Sequence, residues 1–145
     1  AVLNYGSWDA PNGTAFMVHP GAWPGIVSIQ VTRENGTRHI CAGSLISSLW
    51  VLTAARCFLG AGNVLQWEVV LGAADLSQPG PQAVVCHIKR VLLHQHYVAA
   101  TASNNIALLE LERPVECSDY IQLGCVPDSS LAVAELRTCY IAGWR

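Results

Sequence analysis

The sequence predicts an all-β fold, an antiparallel barrel or sandwich. Three observations carry that expectation. Runs rich in β-branched and apolar residues recur at strand length, beginning with Ile26-Val27-Ser28-Ile29-Gln30-Val31. Turn signals separate them at even intervals, Asn35-Gly36 and Pro79-Gly80-Pro81 being the firmest. Apolar residues hardly anywhere return with the helical period of about 3.6. Short strands at even spacing are the mark of closed or double-layered β architecture.

Residues 1–20 are polar and contain Pro11, Pro20 and several glycines, so they read as an extended or looped arm rather than a packed element. Residues 26–31 alternate and form the first strand. Arg33-Glu34-Asn35-Gly36-Thr37-Arg38 is a hairpin turn, because Asn-Gly readily takes the backbone conformations that tight turns demand. Residues 39–46 return, Ser47-Ser48 turns the chain again, and residues 49–54 make a third strand. After the connection Gly60-Ala61-Gly62-Asn63, residues 67–71 form a strand, 72–81 a loop, and 83–93 a long strand bent at Cys86-His87. Residues 94–105 are polar loop, 106–111 a strand, and 113–131 a connection marked by Pro114 and Pro127. Thr138-Cys139-Tyr140-Ile141-Ala142 is a last strand that stops at Gly143-Trp144-Arg145. The sequence contains no internal repeat and no low-complexity tract.

The 145 residues suffice for one domain with a real core. Apolar residues make up 52% of the chain and charged residues only 12%, a low charge content for a free-standing domain. Either the core is large or apolar surface is meant to be covered by a partner. No run approaches the roughly 20 apolar residues of a membrane helix, so no membrane span is expected, and Ala1 reads as the residue left after signal cleavage. A net charge of −2 and a pI near 6.2 argue against electrostatic capture of nucleic acid or heparin. The chain has six cysteines and the sequons Asn12-Gly13-Thr14 and Asn35-Gly36-Thr37. Together they point to an oxidising secretory compartment, with Asn12 and Asn35 as glycosylation candidates.

The chemistry-bearing stretch is Trp50-Val51-Leu52-Thr53-Ala54-Ala55-Arg56-Cys57, preceded by Cys41-Ala42-Gly43-Ser44-Leu45-Ile46. Both resemble the segment around the catalytic histidine of trypsin-like serine proteases, whose usual wording is W-V-L-T-A-A-H-C. Four further stretches resemble the same family: Gly21-Ala22-Trp23-Pro24, Asn105-Ile106-Ala107-Leu108-Leu109, Pro114-Val115-Glu116-Cys117-Ser118-Asp119-Tyr120-Ile121, and Thr138-Cys139-Tyr140-Ile141-Ala142-Gly143-Trp144. The resemblance runs from Gly21 to Trp144, about the first half of a protease domain. It implies the chymotrypsin fold. The expected layout is an N-terminal arm at 1–20, an N-terminal six-stranded antiparallel Greek-key barrel at 21–115, and at 116–145 the inter-barrel linker with the first strand of an absent second barrel.

Four departures from the family imply a protein without peptidase activity. The histidine slot holds Arg56, whose guanidinium has only donors and cannot take a proton from a serine hydroxyl. The aspartate slot before Ile-Ala-Leu-Leu holds Asn105; an Asp-to-Asn change alone lowers the rate of a serine-protease triad about 10⁴-fold. The sequence stops before any Gly-Asp-Ser-Gly-Gly segment, which would carry the nucleophile and the oxyanion hole. Finally, no basic residue precedes the place of the activation cut, counted back from Trp23 to Asn12-Gly13-Thr14-Ala15.

The resemblance also implies a disulfide between Cys41 and Cys57. Cys117 and Cys125 resemble the positions that tie heavy to light chain in a two-chain member of the family, and Cys139 the position that pairs with the second barrel. Cys86 has no family counterpart. These four are therefore open to internal rearrangement, Cys117 with Cys125 being nearest in sequence, or to a bond with another chain.

Cys86-His87 with His94 and His96 is a conceivable metal set, but a histidine before an aromatic is ordinary in this family, and no metal or other cofactor is expected. Trp8, Trp23, Trp50, Trp67 and Trp144 read as core or hinge residues rather than a sugar-stacking row. Arg56 is either a drifted surface residue or an anchor for a partner. The expected function is a secreted protease homologue with a binding or structural role. The expected partner is a second copy or another protein covering the face the second barrel would bury, with a glycoprotein as a conceivable ligand. The rival is one half of a two-chain serine protease with a nonstandard base.

Overall fold

Alternating side chains decide where the strands run. A computed structural model describes residues 3–7, 16–60 and 66–144 of the chain. Its strands are β1 (Leu3–Ser7), β2 (Phe16–Met17), β3 (Ile26–Arg33), β4 (Gly36–Leu45), β5 (Trp50–Thr53), β6 (Trp67–Leu71), β7 (Val84–Leu93), β8 (Ala107–Leu111) and β9 (Tyr140–Trp144). Val27, Ile29 and Val31 on β3, Trp67, Val69 and Leu71 on β6, and Ala107, Leu109 and Leu111 on β8 are buried at every second position. Inward faces of period two build one apolar core, completed by Leu45, Val51, Phe58 and Ile88.

Six strands close into a barrel in the order β3-β4-β5-β8-β7-β6, every neighbouring pair antiparallel. Because β5 lies beside β8 rather than β6, the chain crosses the barrel end between β5 and β6, as a Greek key requires. Closure leaves these strands without an exposed edge. Gly43 is required at the β4–β5 contact: a Cβ there would lie 2.6 Å from Val51 Cγ1 and 3.3 Å from Ile29 Cδ1.

The expected hairpin turn is tighter than the sequence suggests. β3 and β4 stay in register as far as Arg33 opposite Gly36, leaving only Glu34 and Asn35 as the connection. Gly36 then opens the returning strand at φ 110°, a conformation glycine adopts without strain. The long strand β7 is continuous through Cys86-His87; its irregularity falls between Ile88 and Arg90. The last strand does not stop at Ala142 but runs through Gly143 to Trp144.

The N-terminal arm is the largest difference from expectation. Residues 3–7 form a strand that pairs antiparallel with β9, from Leu3 opposite Trp144 to Ser7 opposite Tyr140, and β2 pairs with β1 on the other side. The reason is the edge that β9 offers. A strand outside the barrel carries a row of backbone donors and acceptors, and any segment within reach can satisfy them.

The segment between β8 and β9 is laid along the barrel rather than extended from it. Val115 and Ile121 are buried, and the backbone N–H of Gly124 donates to the carbonyl of Leu45 at 2.6 Å. Gln122 N–H donates to the carbonyl of Pro24 at 3.0 Å. Further on, Leu123, Val126, Leu131, Val133, Leu136, Tyr140 and Ile141 expose large apolar surface.

Candidate functional site

Two slots identified by resemblance, Arg56 and Asn105, meet in space. β5 feeds a short 3-10 turn, Ala55–Phe58, in which Ala55 and Phe58 are buried and Arg56 is exposed. Cys57 in the same turn is bonded to Cys41 of β4, with the Cα atoms 6.3 Å apart. Asn105 lies just before β8, and β5 and β8 are paired from Trp50 opposite Glu110 to Thr53 opposite Ala107. That register carries residue 105 to the turn, where the backbone N–H of Arg56 donates to Asn105 Oδ1 at 2.8 Å.

The loop before Asn105 is held by its own bonds. His94 N–H donates to the Ile106 carbonyl at 3.1 Å, Val98 N–H to the Ser103 carbonyl at 3.0 Å, and Asn104 Nδ2 to the His96 carbonyl at 3.0 Å. Asn104 and Ala102 both sit at φ 54°; asparagine tolerates this conformation well and alanine poorly.

The arrangement keeps the frame of a triad and loses its proton chemistry. The Asn105 carbonyl oxygen accepts the amide of residue 56 just as a carboxylate oxygen could. Its other atom is an NH₂ group, which donates, and the Arg56 guanidinium also only donates. Two donors cannot relay a proton, and neither can serve as a general base. On the resemblance that assigns these slots, Arg56 and Asn105 stand where a serine-protease triad has its histidine and aspartate, and these two residues do not form the standard hydrolytic triad.

The remaining candidates fall as follows. Cys86 is half-buried and free, and burial pushes its thiol above the ordinary range; Cys117, Cys125 and Cys139 are free and exposed. Cys117 and Cys125 are not joined to each other. His94 and His96 lie in a turn with ring centroids 5.7 Å apart, and His94 Nδ1 accepts the His96 amide at 3.0 Å. Among the described residues no group of three or more His, Cys, Asp or Glu side chains could hold a metal ion. Asn35 is exposed at the β3–β4 tip, while Asn12 and Trp8 lie outside the described residues. Trp67 is buried against Phe58, Trp23 meets Tyr140, and Trp50 lies under the guanidinium of Arg90, so these three make no stacking row.

One polar cluster is not visible in the sequence. Ser28, fully buried on the outer side of β3, lies 2.7 Å through its Oγ from His39 Nδ1 and receives Gln30 Nε2 at 3.0 Å. A hydroxyl has one proton and two lone pairs, so while it accepts from Gln30 it can either donate to or accept from Nδ1, according to the tautomer of the ring. Burial holds His39 below the usual imidazole range. Its ring packs on Trp144 of β9, centroids 5.5 Å apart, and Trp144 Nε1 donates to the Ala74 carbonyl at 2.9 Å. A register shift makes this possible: Ile29 faces Cys41 but Gln30 faces His39, so the β4 bulge skips Ile40. Alternation alone places Ile40, not His39, opposite Gln30, which is why the pair escapes a reading of the sequence.

A family model described as Trypsin matches residues 15–145. That span includes every barrel strand, the turn bearing Arg56, the loop bearing Asn105, and β9. With this match, its closed antiparallel barrel and its disulfide at the Arg56 turn, the chain belongs to the trypsin family.

Proposed function

We propose that this chain is a secreted, acrosin-like protease homologue that acts by binding and not by cleavage. The observation that carries this reading is the bond from the Arg56 amide to Asn105 Oδ1. The frame around the site is kept, while both side chains that would move a proton are exchanged for donors. The acrosin-like assignment draws on the wording of Gly21-Ala22-Trp23-Pro24, residues 105–109, 114–121 and 138–144. A gamete or reproductive-secretion setting follows from that likeness, and secretion from the cysteines and sequons. A protein, including a glycoprotein, is the class of ligand such a surface suits.

The exposed apolar side chains from Leu123 to Ile141 are the surface to be covered, by a second copy or by another chain. Where such side chains adjoin, exposed apolar surface is uncommon on free monomers and marks association. Exposed Cys117, Cys125 and Cys139 lie in the same stretch and give such an association a covalent option. Native mass measured over a range of concentrations tests the proposal, and association is expected. A monomer throughout defeats it. Labelling by a serine-reactive phosphonate that depends on this chain would instead favour a two-chain protease with a nonstandard base.

A further inference from the structure

We infer that Asn35 carries an N-linked oligosaccharide and that its first sugars cover the flank of the degenerate site next to the Cys57–Gly60 turn. The inference rests on the secretory reading above for its occurrence in nature. Its geometry does not. Glu34 and Asn35 are the whole connection of the β3–β4 hairpin, and both are exposed. Attachment there removes no core contact and breaks no ladder bond. Gly36 is the middle residue of the sequon, so no proline blocks it. Thr37, the hydroxyl residue of the sequon, lies opposite Thr32 and its Oγ1 is 3.1 Å from Thr32 Oγ1.

The step needs one co-reactant, an oligosaccharide linked to a lipid diphosphate. Asn35 Nδ2 forms a bond to C1 of the first sugar as the bond from C1 to the diphosphate breaks. Nδ2 gives up one proton, and the lipid diphosphate leaves with the bonding pair. Nothing is oxidised or reduced.

The position of Asn35 decides what the sugars cover. It lines a cavity of about 650 Å³ together with Leu59 and Gly60, all three exposed. Buried Val31 and Trp67, half-buried Ile40 and Cys57 of the Cys41–Cys57 bridge line it as well. Leu59, 55% exposed, follows directly on the turn that presents Arg56. A branched sugar rooted at Asn35 has apolar surface to lie on at Leu59.

The test is secretion of the chain from cultured animal cells behind a cleavable leader, which imposes passage through the lumen. Peptide mapping reads Asn35 occupancy and the Cys41–Cys57 bond in one digest. The expected result is a glycan on Asn35 that is lost in Asn35→Gln and in Thr37→Ala and kept in Asn12→Gln. A bare Asn35 beside an oxidised Cys41–Cys57 pair overturns the site while leaving the secretory reading intact. Hydroxyl-radical footprinting then compares the glycoprotein with Asn35→Gln. Leu59 oxidation is expected to fall severalfold in the glycoprotein, with exposed Val85 on β7 unchanged. Equal Leu59 rates overturn the covering.

Discussion

Two clusters on this barrel combine polar side chains across neighbouring strands, and they have opposite fates. At the end of β5 and β8, Arg56 and Asn105 are exposed, and their frame is held by other residues: buried Ala55 and Phe58, and the Cys41–Cys57 bridge. On the outer side of β3, Ser28 and Gln30 are buried and His39 is half-buried, and each holds the others. In the first cluster the chemistry sits on top of the scaffold. In the second the polar groups are the scaffold. An exposed side chain can be exchanged at almost no cost to folding, whereas a buried donor or acceptor left without its partner costs the fold its desolvation. That asymmetry lets the residues at the Arg56 turn change while the trypsin-family barrel is retained.

The strongest way to break the comparison is to remove the frame of the first cluster. The Cys41–Cys57 bond closes a sequence separation of 16 residues, and bridging a loop of that size stabilises a domain by about 3 kcal/mol. The double variant Cys41→Ser, Cys57→Ser is expected to lose about that much in urea denaturation. The Arg56 turn should become protease-sensitive at the same time. If the barrel keeps full stability without the bridge, the frame is held by packing alone and the contrast weakens.

The second cluster is expected to be next in size. His39→Phe keeps a ring against Trp144 but removes the nitrogen beside the fully buried Ser28 hydroxyl. A buried hydroxyl left without that partner costs about 1–3 kcal/mol. The same residue makes a pH prediction. Burial lowers its pKa in the folded state, so between that value and the unfolded value of about 6.5 the unfolded chain binds more protons. Stability is therefore full above about pH 6.5. It is lost progressively as the pH falls through that window and levels off once the folded state is protonated too. Denaturation midpoints at a series of pH values check this, and the loss should be absent in His39→Phe. A wild-type midpoint flat from neutral pH downward through that window would show that His39 is solvated.

How much of this the sequence could tell differs between the two clusters for a physical reason. The barrel strands are written as local alternation, so residues 26–31, 67–71 and 106–111 lie within a residue or two of β3, β6 and β8. Arg56 and Asn105 were findable because motif wording surrounds each of them. Their hydrogen bond was not, because it depends on the register of β5 against β8, 49 residues away in sequence. The Ser28–His39 pair needs both a register and a bulge. The β1–β9 pairing joins the two ends of the chain, and Leu-Asn-Tyr-Gly-Ser has no alternation to announce it. Local pattern specifies strands; non-local register specifies sites.

The smallest expected effects sharpen the comparison most, because they separate two atoms of one site. Arg56→Ala removes an exposed guanidinium but leaves the backbone N–H in place, so stability should change by no more than about 0.5 kcal/mol. Asn105→Ala removes the oxygen which that N–H reaches at 2.8 Å, and should cost about 1 kcal/mol. Asn105→Asp retains an oxygen acceptor and should cost nothing. Small effects in Asn105→Asp and Arg56→Ala and a larger loss in Asn105→Ala, read from urea midpoints, are what a kept frame with exchanged chemistry requires. If Arg56→Ala proved the most damaging of the three, the guanidinium would be part of the scaffold, and its replacement of an imidazole would be a structural gain instead of a free change at the surface.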